Sequence, residues 1–114
     1  MKTCLIALFL LLAVGCKRAD AGKSFQETKI EAEKGNARAQ SNIGFMYAMG
    51  QGVPKDEVEA YKWFLLAGAQ GDEDAKEIIP FIEGNITPAQ RAEGQRLARE
   101  WKPRKLNPTY EFHP

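Results

Sequence analysis

The sequence predicts an all-α fold, a short α-solenoid of antiparallel helix hairpins with about five helices. Three observations predict it. Apolar residues recur at three- and four-residue spacing from Phe25 to Trp101, the period of a helix face. Glycine and proline at Gly35, Gly50, Gly52, Pro54, Gly71 and Gly84 cut that stretch into helix-length segments. The pattern also repeats: a shift of 36 positions carries Gly35 onto Gly71, Asn36 onto Asp72, Ala39 onto Ala75 and Ile43 onto Ile79. A period of that length belongs to stacked helix pairs.

The chain opens with a short positive start, Met1 to Thr3, and an almost unbroken apolar run from Cys4 to Val14. This run is about half of the ~20 residues a spanning helix requires, and it reads as a secretion signal. It closes on Ala13, Val14, Gly15 and Cys16, which resembles the lipobox of bacterial lipoproteins. The resemblance implies cleavage after residue 15 and acylation of Cys16, with an ordinary cleaved signal and a secreted or soluble periplasmic protein as the alternative. Lys17, in place of aspartate, resembles the sorting rule for the outer rather than the inner membrane. Two or three acyl chains would hold the protein firmly. Cys4 leaves with the signal, so the 99 remaining residues have no thiol pair for a disulfide.

Residues 16–23 are small and polar, the composition of a flexible tether. The domain follows over 24–101. Ser24 and Glu27 form a capping-box pattern, and a first helix runs to about Lys34 before Gly35. Asn36 caps a second helix that carries Ala39, Ile43, Met46, Tyr47 and Gly50 on one stripe. Gly44, on the edge of that stripe, allows a neighbouring helix to come close. Gly50, Gln51, Gly52, Val53 and Pro54 make a turn. Asp56 and Glu59 open a third helix, whose Ala60, Trp63, Phe64 and Ala67 are expected to pack on the second as an antiparallel hairpin ending at Gly71.

The next unit starts alike and then departs. Asp72, Glu73 and Asp74 suit a helix N-terminus, and Ala75, Ile78, Ile79 and Ile82 give an apolar face. Pro80 is expected to kink or interrupt that helix, and Gly84 and Asn85 mark its turn. Thr87, Pro88 and Gln90 open a last helix with Gly94, Leu97, Ala98 and Trp101 inward and Arg91, Arg96 and Arg99 outward. The first helix then reads as half of a leading repeat, residues 36–71 as one full repeat, and the last two helices as a divergent cap. Residues 102–114 hold three prolines and no periodicity, and are expected to form an extended tail lying along the last helix through Leu106, Tyr110 or Phe112.

The positions Ala39, Ile43, Gly44, Tyr47, Gly50, Gly52, Val53, Asp56, Ala60, Trp63, Ala67, Gly71 and Ala75 resemble the unit of the Sel-one-like repeat (SLR), a branch of the tetratricopeptide superfamily. The resemblance is strong for Asn36 to Ala75 and loose on either side. It implies a helical-repeat protein that binds a protein or peptide partner. In related solenoids the first helix of each pair lines a concave groove. On the second helix here, Arg38, Asn42, Phe45 and Met49 fall in one sector beside the packing stripe and form the candidate binding face. An aromatic, a methionine, an amide and a guanidinium suit an extended peptide. Packing of Phe45 and Met49 on the first helix is the competing explanation. Glu59 and Lys62 are expected to be solvated surface.

Residue chemistry argues against catalysis. The single histidine, His113, lies next to the C-terminus, and no His/Cys cluster offers a metal site. Ser24 and Ser41 have no base nearby in sequence and no nucleophile-elbow setting. The acidic run at Asp72 lacks the alternate-residue spacing of a calcium loop. No cofactor is expected. With Lys2 removed, 15 basic residues face 15 acidic ones, so nothing favours nucleic acid. Disulfide-rich SLR relatives described as penicillin-binding or β-lactamase proteins suggest a cell-wall-directed enzyme as the alternative, but their cysteines are absent here. One full repeat with partial neighbours buries little core, so self-association through the end near the first helix is also expected.

Overall fold

The structure, a computed structural model, describes residues 23–104. Cys16 with its signal, and Leu106, Tyr110 and Phe112, lie outside the described residues. Five helices follow in order: α1 Phe25–Glu33, α2 Ala37–Met49, α3 Glu57–Ala69, α4 Glu73–Asn85 and α5 Pro88–Glu100. Among the described residues no strand occurs, and no helix is long and apolar enough to cross a membrane.

Each helix begins where a side chain satisfies orphan N–H groups of its first turn. Ser24 Oγ accepts from Glu27 N–H at 3.2 Å, Asn36 Oδ1 from Ala39 N–H at 2.9 Å, and Asp72 Oδ2 from Ala75 N–H at 2.9 Å. Asp56 Oδ1 accepts from both Val58 and Glu59 N–H at 3.1 Å. The full reciprocal capping box closes at Thr87, whose N–H donates to Gln90 Oε1 at 2.9 Å while its hydroxyl accepts from Gln90 N–H at 3.1 Å.

The ends of α1 and α3 reproduce the sequence period in hydrogen bonds. Asn36 N–H reaches back to Glu31 O, and Asp72 N–H makes the same bond to Ala67 O. Gly35 and Gly71 sit between, at φ 105° and 97°, a region that side chains avoid.

Helix α3 is the hub, packing against α2, α4 and α5, while α1 packs against α2. Its Tyr61, Trp63, Phe64 and Ala67 are all buried. The α2–α3 contact is close because Gly44 has no side chain: a Cβ there would lie 3.0 Å from the Phe64 ring. Gln40, fully buried on α2, ties three helices, donating from Nε2 to Ala32 O at 3.2 Å and accepting from Gln70 Nε2 at 2.7 Å. A buried amide must spend its polar atoms on such partners, and these hold the hairpin in register.

Pro80 does not interrupt α4, which runs unbroken from Glu73 to Asn85. Pro80 and Lys76, whose carbonyl would have accepted the missing bond, are both exposed. Water can therefore serve that carbonyl, which lowers the cost of the proline.

The cap differs from a regular repeat in how α5 meets α3. Gly94 is buried under Tyr61, whose hydroxyl donates to Glu83 at 2.6 Å and accepts from Gln95 Nε2 at 3.2 Å. Burial, then the bond to Glu83, pushes the Tyr61 phenol above its ordinary value, and burial raises Tyr47 as well. The folded state thus holds these phenolic protons more tightly than the unfolded chain. Their contribution is fully present below the unfolded pKa of ~10 and is lost as pH rises through the folded values. Thermal melts should show stability falling above pH ~10, and Tyr61→Phe should flatten part of that fall while costing ~1 kcal/mol at neutral pH through its lost hydrogen bonds.

After α5, residues 101–104 turn away from that helix. Trp101 packs edge-on to Trp63 at 6.1 Å, and Arg104 reaches α1, with its N–H on Glu33 O at 2.7 Å and Nη1 3.1 Å from Glu33 Oε2. The first described tail residues therefore clip the last helix to the first. Trp63 is the reason: its large buried ring needs a cover that α1 and α2 alone leave open. The α1 positions one period before Trp63 and Ala67 are Glu27 and Glu31, so the outer side of α1 is polar except for Ile30, 46 % exposed.

Candidate interaction surface

The four residues of the expected binding face divide into two kinds. Arg38 and Phe45 are engaged by other helices of the fold. Arg38 Nη1 lies 3.7 Å from Asp74 Oδ2, bridging the first turns of α2 and α4. Phe45 is half-buried and meets Phe64 edge-on at 4.8 Å. Asn42 is half-buried, and Met49 is 60 % exposed on the last turn of α2.

The competing explanation for Phe45 and Met49 is therefore altered on both counts. Phe45 does pack, but on α3 rather than on α1, because Gly44 admits the Phe64 ring beside it. Met49 projects to solvent. Phe45→Ala should consequently cost ~1–2 kcal/mol of stability through lost area and the lost ring pair, readable in a urea melt.

The repeat positions lie in the packing between helices. Ala39, Ile43, Ala60, Trp63 and Ala67 are buried. Tyr47 stacks edge-on to Phe25 at 5.4 Å, and a Cβ on Gly52 would fall 3.2 Å from Phe25. Gly50 ends α2, donating to Met46 O, and Asp56 N–H donates to Tyr47 O at 3.0 Å, which pins the intervening turn. Lys62 is not solvated surface. Its side chain is only 14 % exposed, with Nζ 4.3 Å from the Trp63 ring centroid and 2.8 Å from Glu59 Oε2. The aliphatic stem covers the indole while the charge stays paired.

The opening in this region lies at the other end of the helices from the Arg38–Asp74 bridge. Ala48 and Ala60 form the floor of a cleft of about 320 Å³, and Phe81, Ile82 and Ile86 form its wall. Lys55 and Glu57, 3.5 Å apart, stand on the rim. Phe81 is 67 % exposed. Of this set the candidate face contained none. A signal was present for Phe81, a large aromatic outside the stripe of Ala75, Ile78, Ile79 and Ile82. Gln40 gave no such signal, since an amide within a stripe has no sequence mark that separates buried from exposed.

Each acidic residue at the start of α4 has a local task. Asp72 caps the helix, Glu73 pairs with Lys76 at 3.5 Å, and Asp74 pairs with Arg38. Among the described residues no group of His, Cys, Asp or Glu is placed to hold a metal ion. Ser24 caps α1, and Ser41 is buried on α2 with no hydrogen-bond partner for its hydroxyl.

Known proteins resemble part of this chain. It is 35 % identical over 63 residues to the ERAD-associated E3 ubiquitin-protein ligase component HRD3A of Arabidopsis thaliana, covering 54 % of this chain and 9 % of that protein. It is 32 % identical over 75 residues to the alginate biosynthesis protein AlgK of Azotobacter vinelandii, covering 66 % and 16 %. For AlgK of Pseudomonas aeruginosa the identity is 29 % over 68 residues, covering 60 % and 14 %. The chain thus spans only a small part of these relatives. No solved structure matches it. The family model that matches is that of the Sel1 repeat, over residues 37–72, which make up the hairpin of α2 and α3 with its closing turn in an all-α solenoid.

Proposed function

We propose that this chain is a lipid-anchored module of the bacterial envelope that holds a protein or peptide partner against its α2–α4 face and performs no catalysis. The observation that carries this reading is the large apolar side chain of Phe81, left in water on the wall of a cleft, together with Met49 exposed on the last turn of α2. Trp63, Tyr61 and Phe64 are buried completely, whereas Ile30, Met49 and Phe81 are exposed, and of these three Phe81 lines the cleft, where a partner would cover it. The anchoring part rests on the lipobox-like residues up to Cys16, and the bacterial setting is in keeping with two of the relatives being alginate biosynthesis proteins of bacteria. Periplasm-facing attachment, to the outer membrane by the Lys17 rule, follows from the same residues.

A photoreactive residue at Met49, with a control at exposed Arg99, tests the docking face in the native cell. A discrete product from Met49 and none from Arg99 is expected, and equal or empty capture from both positions counts against the face. Cys16→Ser should move the protein from the membrane to the soluble fraction, and continued membrane association of that variant would remove the lipid anchor from the reading.

A further inference from the structure

We propose that α1 is an exchangeable element: a second copy of this chain docks by seating its own α1 on α2, and residues 101–104 are the latch that keeps α1 on its own chain. The proposal is independent of the α2–α4 face. It concerns the other side of α2, which α1 covers.

Helix α1 contributes little burial of its own. It has nine residues against thirteen in each of the other four helices, and a helix that short is not stable alone in water. It packs chiefly on α2, and its buried residues are the small Thr28 and Ala32. An element with so few buried apolar contacts opens at low free energy. The seat beneath it is of another kind. Ile43 is fully buried there and Trp63 nearly so, while Tyr47 and Gly52 meet Phe25. When α1 leaves, this apolar surface requires a cover, and the helix that already fits it is the α1 of another copy. Exchange of an identical element restores every contact that opening breaks.

Two features decide which copy's α1 fills the seat. The first is the turn at Gly35, where φ is 105° and an added Cβ meets nothing within 4 Å, so a side chain is disfavoured there by backbone conformation alone. At helical values, residues 34–36 would join α1 and α2 into one long helix, whose α1 part could pack only on a partner. The second is the latch. Glu33 O, at the end of α1, accepts from Arg104 N–H at 2.7 Å, and Glu33 Oε2 accepts from Arg104 Nη1 at 3.1 Å. The N–H satisfies an orphan carbonyl of the last turn, and the guanidinium suits the negative end of the helix. Trp101, edge-on to Trp63, fixes where the latch begins. The latch thus bonds α1 to the far end of its own chain.

The test uses the full-length protein solubilised in a non-ionic detergent, with native mass spectrometry to count chains. The wild type should be mainly monomeric. Gly35→Ala should raise the dimerisation constant at least ~10-fold, whereas Gly35→Asn, which tolerates the left-handed region, should not. Gly71→Ala is the matched control. Gly71 has φ 97° in the same turn, and an added Cβ again meets nothing, but α3 is held by three helices, so this variant should stay monomeric. Charge reversal identifies the exchange. Glu33→Arg and Arg104→Glu each set like charges across the latch, and a mixture of the two variants restores opposite charges only between copies. At low salt the mixed dimer should exceed either variant's own dimer ~5-fold. Equal dimer from Gly35→Ala and Gly71→Ala, or a mixture no richer in dimer than its components, would overturn the proposal. If Gly35→Ala yields no folded protein, the mixture decides alone.

Discussion

Replacing Gly94 by leucine should displace the C-terminal cap and remove a large share of the folding free energy. A Cβ at Gly94 would lie 2.5 Å from Tyr61 Cδ2, well inside contact distance. The ring cannot give way, because Tyr61 is fully buried and its hydroxyl is held by Glu83 and Gln95. Helix α5 must move instead, which would disturb the contact of Trp101 with Trp63 and the clip from Arg104 to Glu33. Overpacking of this kind costs ~1–3 kcal/mol and the better helix propensity of leucine returns ~1 kcal/mol, so the net loss reaches ~2 kcal/mol. Small domains have about 5 kcal/mol in hand, so a net loss of ~2 kcal/mol removes a large share of it. A urea melt would read this as a large fall in midpoint. Gly94→Ala should lie between, and adding Tyr61→Leu to it should recover part of the loss. Additive losses in the double variant would place the strain elsewhere.

Trp63→Ala is expected to be at least as damaging, at ~3–5 kcal/mol. Trp63 is 2 % exposed and packs with Ala32, Ala39 and Ile43 in the core of the hairpin, while Lys62 and Trp101 cover its ring. Its indole N–H has no hydrogen-bond partner, so the whole effect comes from packing and none from a lost bond. Trp63→Phe should therefore be much milder, since it keeps most of the apolar area and removes a buried donor that is unsatisfied. Thermal unfolding of both variants checks the order. A phenylalanine variant as unstable as the alanine one would show that the N–H is satisfied after all.

Much of the fold was legible because it is written in local rules. The caps at Ser24, Asn36, Asp56, Asp72 and Thr87 each require only a short polar side chain followed by free N–H groups, and all five begin helices. The approach of Phe64 to Gly44 was legible too, since a glycine on the edge of an apolar stripe has few other uses. The candidate face was less so. A helical wheel placed Arg38, Asn42, Phe45 and Met49 in one sector, yet it carries no information about α4 or α3. Arg38 is engaged by Asp74, 36 positions later, and Phe45 by Phe64 on the opposite limb of the hairpin. Lys62 was misjudged for a local reason, as its stem follows the ring of its own neighbour, Trp63, and its charge pairs with Glu59 on the same helix.

The sequence by itself determined the period, the five helices, their caps and turns, and the hairpin of α2 and α3, because each depends on residues within about one helical turn or one repeat of each other. Only the tertiary structure decided that α5 seats Gly94 under Tyr61, that Gln40 joins three helices, that Arg104 returns to Glu33, and that the cleft opens beside Phe81. The physical reason is that periodicity states which side of a helix is apolar, while the identity and distance of the surface that covers it depend on how all the helices pack at once.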